Sequence, residues 1–579
     1  MLVSVATWRT LLLAALVVAL VATSACAPAP SASTTGERLP TGAGPKTIVM
    51  GILQEPTGFG AFHSCTSGGG CHQLEEIVMR YLIGLDAQSQ PYPEIASEQP
   101  SVERGTWTIN PDGTMETTYR LRPRVTWHDG TPMAADDWVF GWEVDRDPEM
   151  PNATTVPVRY IDSVVALDES TLLMHWSQTY PFADALMREH LNPMQRARQE
   201  AIYRADRERF VNSPAWNLEF VGLGPYRIAE WTQGTQIRYE AFPGYFRGKP
   251  RVETIIVRFL HDPNTLLANI LADSIDVYLP LGLEKEGALD LQRGWAAPGT
   301  GNQLLIYPDG RLRFIEIQMR PDYQRPKALA DRRTREAIYR TMDRQELMDL
   351  VIAGLGKVAD SWLLPDDPAR PTFEPVIPDY SHNPQLAQRL LEDVGFRRGA
   401  DGILVHQQTG ERFETAVWNT RGGGHDKENS VVADQLRSFG MVADQYIIPT
   451  SRMDDSEHRA SFPGASVTSL TANLNFENSR LRYRPPRLTE PLGNPRNGYN
   501  NREVVRLVDR LQVTVGQSDR QQLQRQIMQI ALLDLPLLPM YWDVEMMTIR
   551  KGVVGPTGRT GRHVLYPLAT WNIHDWDRA

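Results

Sequence analysis

The sequence predicts an α/β fold, because segments with the periodicity of strands alternate irregularly with segments that have the periodicity of helices. Residues Gln236–Ala241 alternate apolar and polar side chains, as expected for a strand that is buried on one face. Residues 252–260 are more uniformly apolar, which predicts a more fully buried strand. A helix is predicted over Arg332–Thr341.

Capping residues predict where further helices begin and end. Asn383 followed by proline suits the cap and first position of a helix, and Gly395 suits the left-handed residue that ends it. Asp343 predicts the N-cap of another helix, and Asn500 or Asn501 that of a third. The apolar stripes of these helices are assigned to the core, without a function.

Length and charge limit the functions that the chain can have. It has 579 residues, which is enough for two or more domains of the usual ~100–200 residues. The formal net charge is −10 and there is no basic stripe, which argues against a nucleic-acid partner. After the N-terminal segment, no apolar run approaches the ~18 residues of a membrane-spanning helix.

The N-terminus predicts a signal peptide over residues 1–25, because Arg9 precedes an apolar run that is too short for a spanning helix. Small residues then lead to Cys26, which resembles the lipidated cysteine of a bacterial lipobox, although Thr23 stands where that pattern usually has Leu. Secretion without lipidation is the alternative. Residues 26–46 are rich in Ala, Pro, Ser, Thr and Gly, which predicts a flexible tether.

Two cysteines remain in the mature chain. Cys65 and Cys71 enclose five residues, and in an oxidising compartment they are predicted to form a disulfide that closes a tight loop. His63 and His72 flank the pair, so a small metal site is the alternative. The disulfide is preferred because soft ligands in an exported glycine-rich loop usually oxidise, and no metal or other cofactor is expected.

Several stretches match, in order and with compatible spacing, one known pattern. They are LRPRVTWHDGTPMAADDWVFGW (121–142), GLGPYRIAEW (222–231) with Leu223 where the pattern has Thr, GYFRGKP (244–250), DPNT (262–265), ADSID (272–276), DRRTREAIYRTMDR (331–344), residues 380–396, and LPLLPMYWDVEMMTIRKGVVG (535–555). In these stretches the chain resembles the extracellular solute-binding proteins of family 5, the peptide- and nickel-type receptors of ABC importers. The resemblance spans about residues 47–560.

The resemblance implies a two-lobed periplasmic-binding-protein fold of type II-like arrangement. Lobe one would comprise residues 47–305 with an extra subdomain at about 86–216, lobe two residues 306–540, and residues 541–579 would return to lobe one. Because the chain crosses between lobes twice, closure is expected to be a hinge motion around a solute at the interface. The implied protein is a monomeric receptor without catalytic activity that delivers its solute to a membrane permease.

The resemblance also implies that three segments line the cleft: a loop before the first helix, the end of a strand in lobe two, and the crossover back to lobe one. Together with one neutral polar residue of lobe two, the residues at these places are His72, Gln73, Trp418, Asn419, Thr420, Arg421, Asn473 and Trp542. Tryptophan can stack on a ring or peptide plane, and Asn and Arg can orient a solute by hydrogen bonds. Strand alternation places only one of Tyr541 and Trp542 in the cleft, and Trp542 is selected. The alternatives are that the loop closed by Cys65 and Cys71 only stabilises the surface, and that Trp418 is packed in the core of lobe two.

One departure from the family concerns the solute. The peptide-binding members carry an aspartate in lobe two that pairs with the free amino group of the peptide, and the matching residues 466–476 contain no carboxylate. A free ammonium there would be desolvated with little compensation. A peptide or a solute of similar size is expected, with a neutral, polyhydroxylated or blocked solute such as an oligosaccharide as the alternative. Glu477, just beyond this stretch, is the alternative partner for an amine.

Two other functional classes fit the sequence less well. An exported hydrolase using paired carboxylates is disfavoured, because the sequence has no nucleophile elbow, no HExxH and no P-loop. A receptor that signals to a sensor, or one that carries nickel or haem, is the other class, but the 12 histidines form no close cluster beyond His63 and His72. The sequence therefore predicts an exported, membrane-anchored receptor that faces the periplasm or the cell exterior.

Overall fold

A computed structural model describes residues 46–60, 70–151, 156–188, 190–296, 300–420, 425–471, 476–487, 492–558 and 569–579. The predicted signal peptide, the predicted tether as far as residue 45, and the predicted residues Cys26, His63, Cys65, Arg421 and Asn473 lie outside these ranges. Their predicted roles stay predictions.

The strands of the described residues follow in chain order. They are β1 (Thr47–Ile52), β2 (Ile83–Leu85), β3 (Pro91–Pro93), β4 (Trp107–Ile109), β5 (Met115–Arg120), β6 (Ile161–Asp168), β7 (Thr171–Trp176), β8 (Tyr226–Thr232), β9 (Gln236–Ala241), β10 (Thr254–Phe259), β11 (Val277–Tyr278), β12 (Gln303–Ile317), β13 (Lys357–Val358), β14 (Phe396–Arg398), β15 (Leu404–His406), β16 (Glu414–Thr420), β17 (Val442–Ile448), β18 (Ala465–Thr471), β19 (Leu537–Ile549), β20 (Val553–Val554) and β21 (Asp577–Arg578).

The α-helices interleave with these strands. They are α1 (Glu75–Val78), α2 (Ala135–Arg146), α3 (Arg196–Ala205), α4 (Arg207–Val211), α5 (Pro263–Leu271), α6 (Lys285–Trp295), α7 (Arg332–Thr341), α8 (Arg344–Ile352), α9 (Arg370–Phe373), α10 (Pro384–Asp393), α11 (His425–Ser438), α12 (Ser456–Ala460), α13 (Phe476–Arg480), α14 (Arg502–Val513) and α15 (Gln517–Asp534).

An eleven-stranded sheet runs through the molecule in the order β17-β16-β18-β12-β19-β11-β1-β10-β9-β8, with β13 paired to β19 off this path. At one end β16 is parallel to β17 and β18, and at the other end β1 is parallel to β10 and β11. The two long strands β12 and β19 are antiparallel and join these ends. We call the part around β1 and β8–β11 lobe one, and the part around β16–β18 lobe two.

Separate hydrophobic cores support this division. The strand β1 packs in lobe one with β9 and β10, whereas β16 and β18 pack in lobe two with α7, α8 and α11. Another lobe-two core, on the opposite face of the sheet, contains α14 and α15. The strand β19 contributes to both lobes, because Met547 lies in the first core and Met540 in the second. The predicted boundary residues of the lobes stay predictions.

A smaller antiparallel sheet, in the order β4-β5-β7-β6, packs against α2 within the region predicted to form an extra subdomain. Its inner face carries alternate buried residues of β5 and β7, and its outer face is more exposed. This alternation is typical of an antiparallel sheet with one solvated face.

The structure confirms most of the predicted local elements. The strand Gln236–Ala241 and the helix Arg332–Thr341 have the predicted bounds. Asn383 accepts a hydrogen bond from the amide of Leu386 at 2.9 Å. Gly395 has a φ of 93°, in the region that a glycine adopts without strain.

Two predicted helix caps agree with the structure, and the predicted burial of one strand does not. Asp343 caps α8 by accepting from two backbone amides, as predicted. Asn501, rather than Asn500, caps α14. The strand predicted within residues 252–260 is present as β10, but the prediction that it is more fully buried is wrong: Ile256 and Arg258 are half-buried, because only one of its faces packs on the core of lobe one.

Candidate functional site

The two strands that join the lobes lose their regular pairing at two places, and the longer interruption lies between Pro308 and Leu312 of β12. Pro308 pairs with Val544 and Leu312 pairs with Trp542, so one residue of β19 faces three residues of β12 between these pairs. Gly310, in this bulge, has a φ of 76°, which a side chain would disfavour. A bulge at the place where both crossing strands leave one lobe for the other is suited to act as a hinge.

Asp543 lies opposite the bulge, among cations from both lobes. Lys285, at the start of α6 in lobe one, places its ammonium nitrogen 3.2 Å from an oxygen of Asp543. Burial alone would raise the pKa of Asp543, but Lys285 and then Arg311 outweigh that effect and hold the pKa below its ordinary value. The carboxylate is therefore ionised and ties the crossover to α6.

Glu545 pairs with Arg311 across the same bulge. An oxygen of Glu545 lies 3.3 Å from a guanidinium nitrogen of Arg311, and the other oxygen accepts a hydrogen bond from the amide of Leu281 at 3.1 Å. The side chain of Arg311 remains 33% exposed, and Glu545 is 9% exposed. This pair consequently joins the lobe-two side of β12 to the lobe-one side of β19.

A buried network lies on the lobe-two side of the crossover, between β12 and α11. Arg313 donates from Nε to Glu428 at 3.0 Å and also from Nη2 to the second oxygen, and their side chains are 4% and 1% exposed. Tyr541 donates to Glu428 at 2.8 Å, and Asn419 donates to it at 3.3 Å. The bidentate pair and its two further donors satisfy a carboxylate that would otherwise be costly to bury.

His425 links this network to the end of β16. Arg313 has only donors, so the contact of 3.2 Å to Nε2 of His425 makes that nitrogen an acceptor. The ring proton then resides on Nδ1, which lies 3.2 Å from the carbonyl oxygen of Thr420. Burial, followed by Arg313, lowers the pKa of His425. A neutral imidazole therefore holds Thr420 against α11.

His72 and Gln73 lie in a short 3₁₀ turn, Cys71–Leu74, before α1. His72 is 7% exposed, and burial, followed by Arg188 and Arg311, lowers its pKa to about 4. The side-chain oxygen of Gln73 accepts from the amide of Ala569 at 2.7 Å. His72 is thus a neutral side chain near the crossover, whereas Gln73 joins α1 to the C-terminal segment.

The predicted residues of β16 point in two directions. Trp418 is half-buried, and its ring centroid lies 4.5 Å from that of Tyr446 and 4.9 Å from that of His458. Asn419 is 1% exposed and points toward α11, where it donates to the carbonyl oxygen of His425 at 3.1 Å. Strand alternation thus separates two neighbours that the sequence grouped.

Trp542 and Tyr541 point to opposite faces of the sheet, as alternation predicts, and both side chains are buried. Trp542 is 1% exposed and packs in the core that contains α14 and α15, while Tyr541 is 2% exposed and packs with α7 and α8. Glu477 is also 1% exposed and accepts from Trp362 at 3.2 Å and from Gln524 at 3.4 Å. The ligand-binding role proposed for Trp542 stays a prediction, but in this conformation its position is internal.

The structure brings His72, Asn419 and Thr420 close to the crossover, and it directs Trp418 to the face of β16 opposite to that of Asn419. The site residues that sequence analysis missed are Lys285, Arg311, Arg313, His425, Glu428 and Glu545. Their contacts join residues separated by more than a hundred positions, apart from those within the β16–α11 connection. No local pattern in the sequence marks such pairs.

A small cavity lies inside lobe one, away from the crossover. Its volume is about 20 Å³, enough for about one water molecule. It is lined by side chains that include Met79, Trp127, Gln195, Trp216 and Phe220. This cavity is too small to hold a peptide or sugar.

Over the ranges of the chain that the structure describes, no helix combines the length and the apolar character needed to cross a bilayer. Within the same ranges, no group of three or more His, Cys, Asp or Glu side chains is arranged to hold a metal ion.

Comparisons with known proteins agree on one family. Residues 90–479 match the model of the bacterial extracellular solute-binding proteins, family 5 middle region. The oligopeptide-binding protein AppA of Bacillus subtilis is 22% identical over 416 residues, which is 70% of each chain. The dipeptide-binding protein of Escherichia coli is 22% identical over 311 residues, and this match spans only 54% of that protein.

Solved structures of the same fold superpose over most of the chain. The oligopeptide-binding protein of Thermus thermophilus, complexed with a pentapeptide, has a TM-score of 0.68 and 23% identity and covers 93% of this chain and 97% of its own. NikZ of Campylobacter jejuni, in complex with Ni(L-His), has a TM-score of 0.67 and 18% identity and covers 92% and 99%. The fold is therefore the two-lobed one of these binding proteins, as predicted.

Proposed function

Because the chain belongs to the bacterial extracellular solute-binding proteins of family 5, we propose that it is the substrate-binding receptor of an ABC importer. It captures a solute between its lobes and delivers it to a membrane permease. The observation that carries this proposal is the pair of crossing strands, β12 and β19, whose regular pairing is interrupted where the lobes meet. A receptor of this kind needs closure and release, and no catalytic step.

The charge contacts around the crossover support a closing motion. Lys427, at the start of α11 in lobe two, lies 3.5 Å from Glu286, in the first turn of α6 in lobe one. Both side chains are more than half exposed. An exposed contact of this kind contributes little to the stability of the lobes, so it can break and form as the cleft opens and closes.

The solute is proposed to be a peptide or a molecule of similar size. Relatives named for oligopeptide and dipeptide binding support the size class. Trp418 offers a half-buried ring face at the end of β16, and Thr420 an adjacent hydroxyl. Arg421 and Asn473 are proposed to supply further hydrogen bonds. An oligosaccharide remains the alternative solute of the same fold.

Export and anchoring form a separate proposal. The family is extracellular, which supports removal of residues 1–25 and a position outside the cell membrane. Cys26 is proposed to carry the lipid, and Cys65 is proposed to pair with Cys71. A labelled fatty acid should be incorporated into the wild-type chain and not into Cys26→Ala. If the wild type takes up no label, the chain is secreted without a lipid, and if the variant is labelled, the lipid is attached at a residue other than Cys26.

The transport role is tested by identifying and returning the solute. Native mass spectrometry of the freshly purified chain should show a bound mass of peptide or oligosaccharide size. Adding that solute to the emptied protein should reduce the radius of gyration in small-angle scattering. At a hundredfold excess over Kd, it should also stabilise the protein by about 2.7 kcal/mol.

A matched pair of variants separates cleft binding from unspecific binding. Trp418→Ala should lower the affinity for the solute, whereas Val513→Ala, on the exposed side of α14, should leave that affinity unchanged. A tight solute that produces no contraction, or that the chain turns over chemically, would refute the receptor proposal.

A further inference from the structure

Four side chains form a continuous row across lobe two. Glu316 of β12 pairs with Ser466 of β18, Ser466 pairs with Trp418 of β16, and Trp418 pairs with Tyr446 of β17. Residues paired directly across neighbouring strands project to the same face of a sheet. That face carries Phe314, and it is opposite to the one that holds the buried ion pair of Arg313.

One end of the row is aromatic. The ring of His458, on α12, lies 4.9 Å from the ring of Trp418 and 5.7 Å from that of Tyr446. The hydroxyl of Tyr446 lies 3.1 Å from Nε2 of His458. All three side chains are half-buried. Since the rings hold each other in place, they present a fixed apolar surface on which a planar group can stack.

The other end of the row is charged. A guanidinium nitrogen of Arg480, on α13, lies 3.3 Å from Glu316, and the two side chains are 13% and 1% exposed. The Nε of Arg480 is buried and has no hydrogen-bond partner among the described residues. Arg459, next to His458, donates to the carbonyl oxygen of Met453 at 3.0 Å.

These two arginines have a shared environment. Burial lowers the pKa of Arg459, Glu316 opposes that shift, and Arg480 adds to it, so the three charges act on one another. Asp454 also raises the pKa of Arg459. The buried carboxylate of Glu316 therefore interacts with two partly buried guanidinium groups, those of Arg459 and Arg480.

A third arginine, Arg320, adds another positive charge near Glu316. Burial lowers the pKa of Arg320, and Glu316 opposes the shift. The guanidinium of Arg320 donates to the backbone carbonyl oxygens of Leu492, Pro495 and Arg496. Among the described residues, positive charge thus exceeds negative charge at this end of the row.

We propose that this row is a subsite for a solute that carries an anionic oxygen group, a carboxylate or a phosphate, beside a planar or ring-shaped group. The anion would accept hydrogen bonds from Arg459 and Arg480, and the ring would lie against Trp418. The inference rests on the proposed transport role. It also fits the absence of a carboxylate in residues 466–476, where an amine would have needed one.

The test compares probes that differ only in the anionic group. The probes are a mixture of tetrapeptides ending in phenylalanine, as free acids and as C-terminal amides, and glucose 6-phosphate with glucose. Binding to the full chain is measured by native mass spectrometry and calorimetry. A free acid or a phosphate should bind at least about tenfold more tightly than its neutral counterpart, as expected for the loss of a charge-assisted hydrogen bond.

Variants locate the effect at the row. Arg459→Gln and Arg480→Gln should each remove most of the preference for the anion, and Arg480→Lys should keep part of it. The control is Arg506→Gln, because Arg506 is 55% exposed on α14 and pairs with Glu503. Melting temperatures of all variants show whether they are folded, and Arg459→Gln tests the site without breaking the pair of Glu316 and Arg480.

The outcomes separate this inference from the transport role. Preference for the free acid that is lost in both glutamine variants supports a carboxylate, and the same result with glucose 6-phosphate supports a phosphate. Equal binding of charged and neutral probes, or a preference that survives both variants, overturns the anion subsite and leaves the receptor intact. If no probe and no co-purified solute binds at all, the subsite and the receptor proposal both fail.

Discussion

Replacing Arg313 with methionine should destabilise lobe two strongly. The substitution keeps an apolar chain of similar length but removes the bidentate partner of Glu428, whose side chain is 1% exposed. Tyr541 and Asn419 would still donate to the carboxylate, at 2.8 Å and 3.3 Å, but no cation would remain against it. Leaving one partner of a buried ion pair costs about 3–5 kcal/mol, and the two remaining donors favour the lower end of that range.

The double variant Arg313→Met with Glu428→Met provides the control. Replacing both charges by apolar side chains of similar volume is often close to neutral, so the double variant should recover part of the lost stability, although Tyr541 loses its acceptor. The assay is urea unfolding followed by the fluorescence of the tryptophans and by circular dichroism, because a two-lobed chain can unfold in more than one step. A single variant within about 1 kcal/mol of the wild type would refute the assignment of this pair as a buried ionic contact.

Three other measurements address the crossover and its surroundings. His72 should stay neutral until about pH 4; since its pKa is 6.5 when unfolded, stability should fall as the pH drops from 6.5 to 4, and His72→Gln should reduce that loss. An imidazole midpoint near 6.5 by NMR would contradict this. Gln73→Ala should cost about 1–3 kcal/mol in urea unfolding, because a buried amide loses its acceptor, and an unchanged unfolding midpoint would contradict this. Lys427→Glu should increase the radius of gyration at low salt by repelling Glu286, and Glu286→Lys in the same chain should reverse it; no salt dependence would exclude this contact from closure.

Local structure could be predicted where the determining residues are neighbours in sequence. Asn383 and Gly395 mark the ends of α10 because cap geometry depends on a few adjacent residues. The burial of β10 could not be predicted, because it depends on whether distant helices pack on the second face of the strand. On that face Arg258 donates to the carbonyl oxygen of Ser274. Burial of a strand face depends on tertiary packing, and the number of apolar residues in the strand does not predict it.

The candidate site was less predictable than the fold. The family resemblance indicated Asn419, but its amide is directed away from the sheet face of Trp418, toward Glu428. Alternation alone separates these neighbours, yet it does not say which face meets the solute. The row that ends at Glu316 depends on the order of β17, β16, β18 and β12, and that order is set only when the sheet forms.

Two arginines that lie two residues apart on β12 have different structural effects. Arg313 is paired within lobe two, to Glu428, and both partners are buried, so this contact should survive when the cleft opens. Arg311 is paired to Glu545, beyond the bulge on β19, and keeps 33% of its side chain exposed. A rotation at the bulge would change the distance between Arg311 and Glu545 and would leave that between Arg313 and Glu428 unchanged. A substitution at Arg311 should therefore shift the balance between open and closed forms and leave lobe two folded, whereas a substitution at Arg313 should weaken lobe two itself.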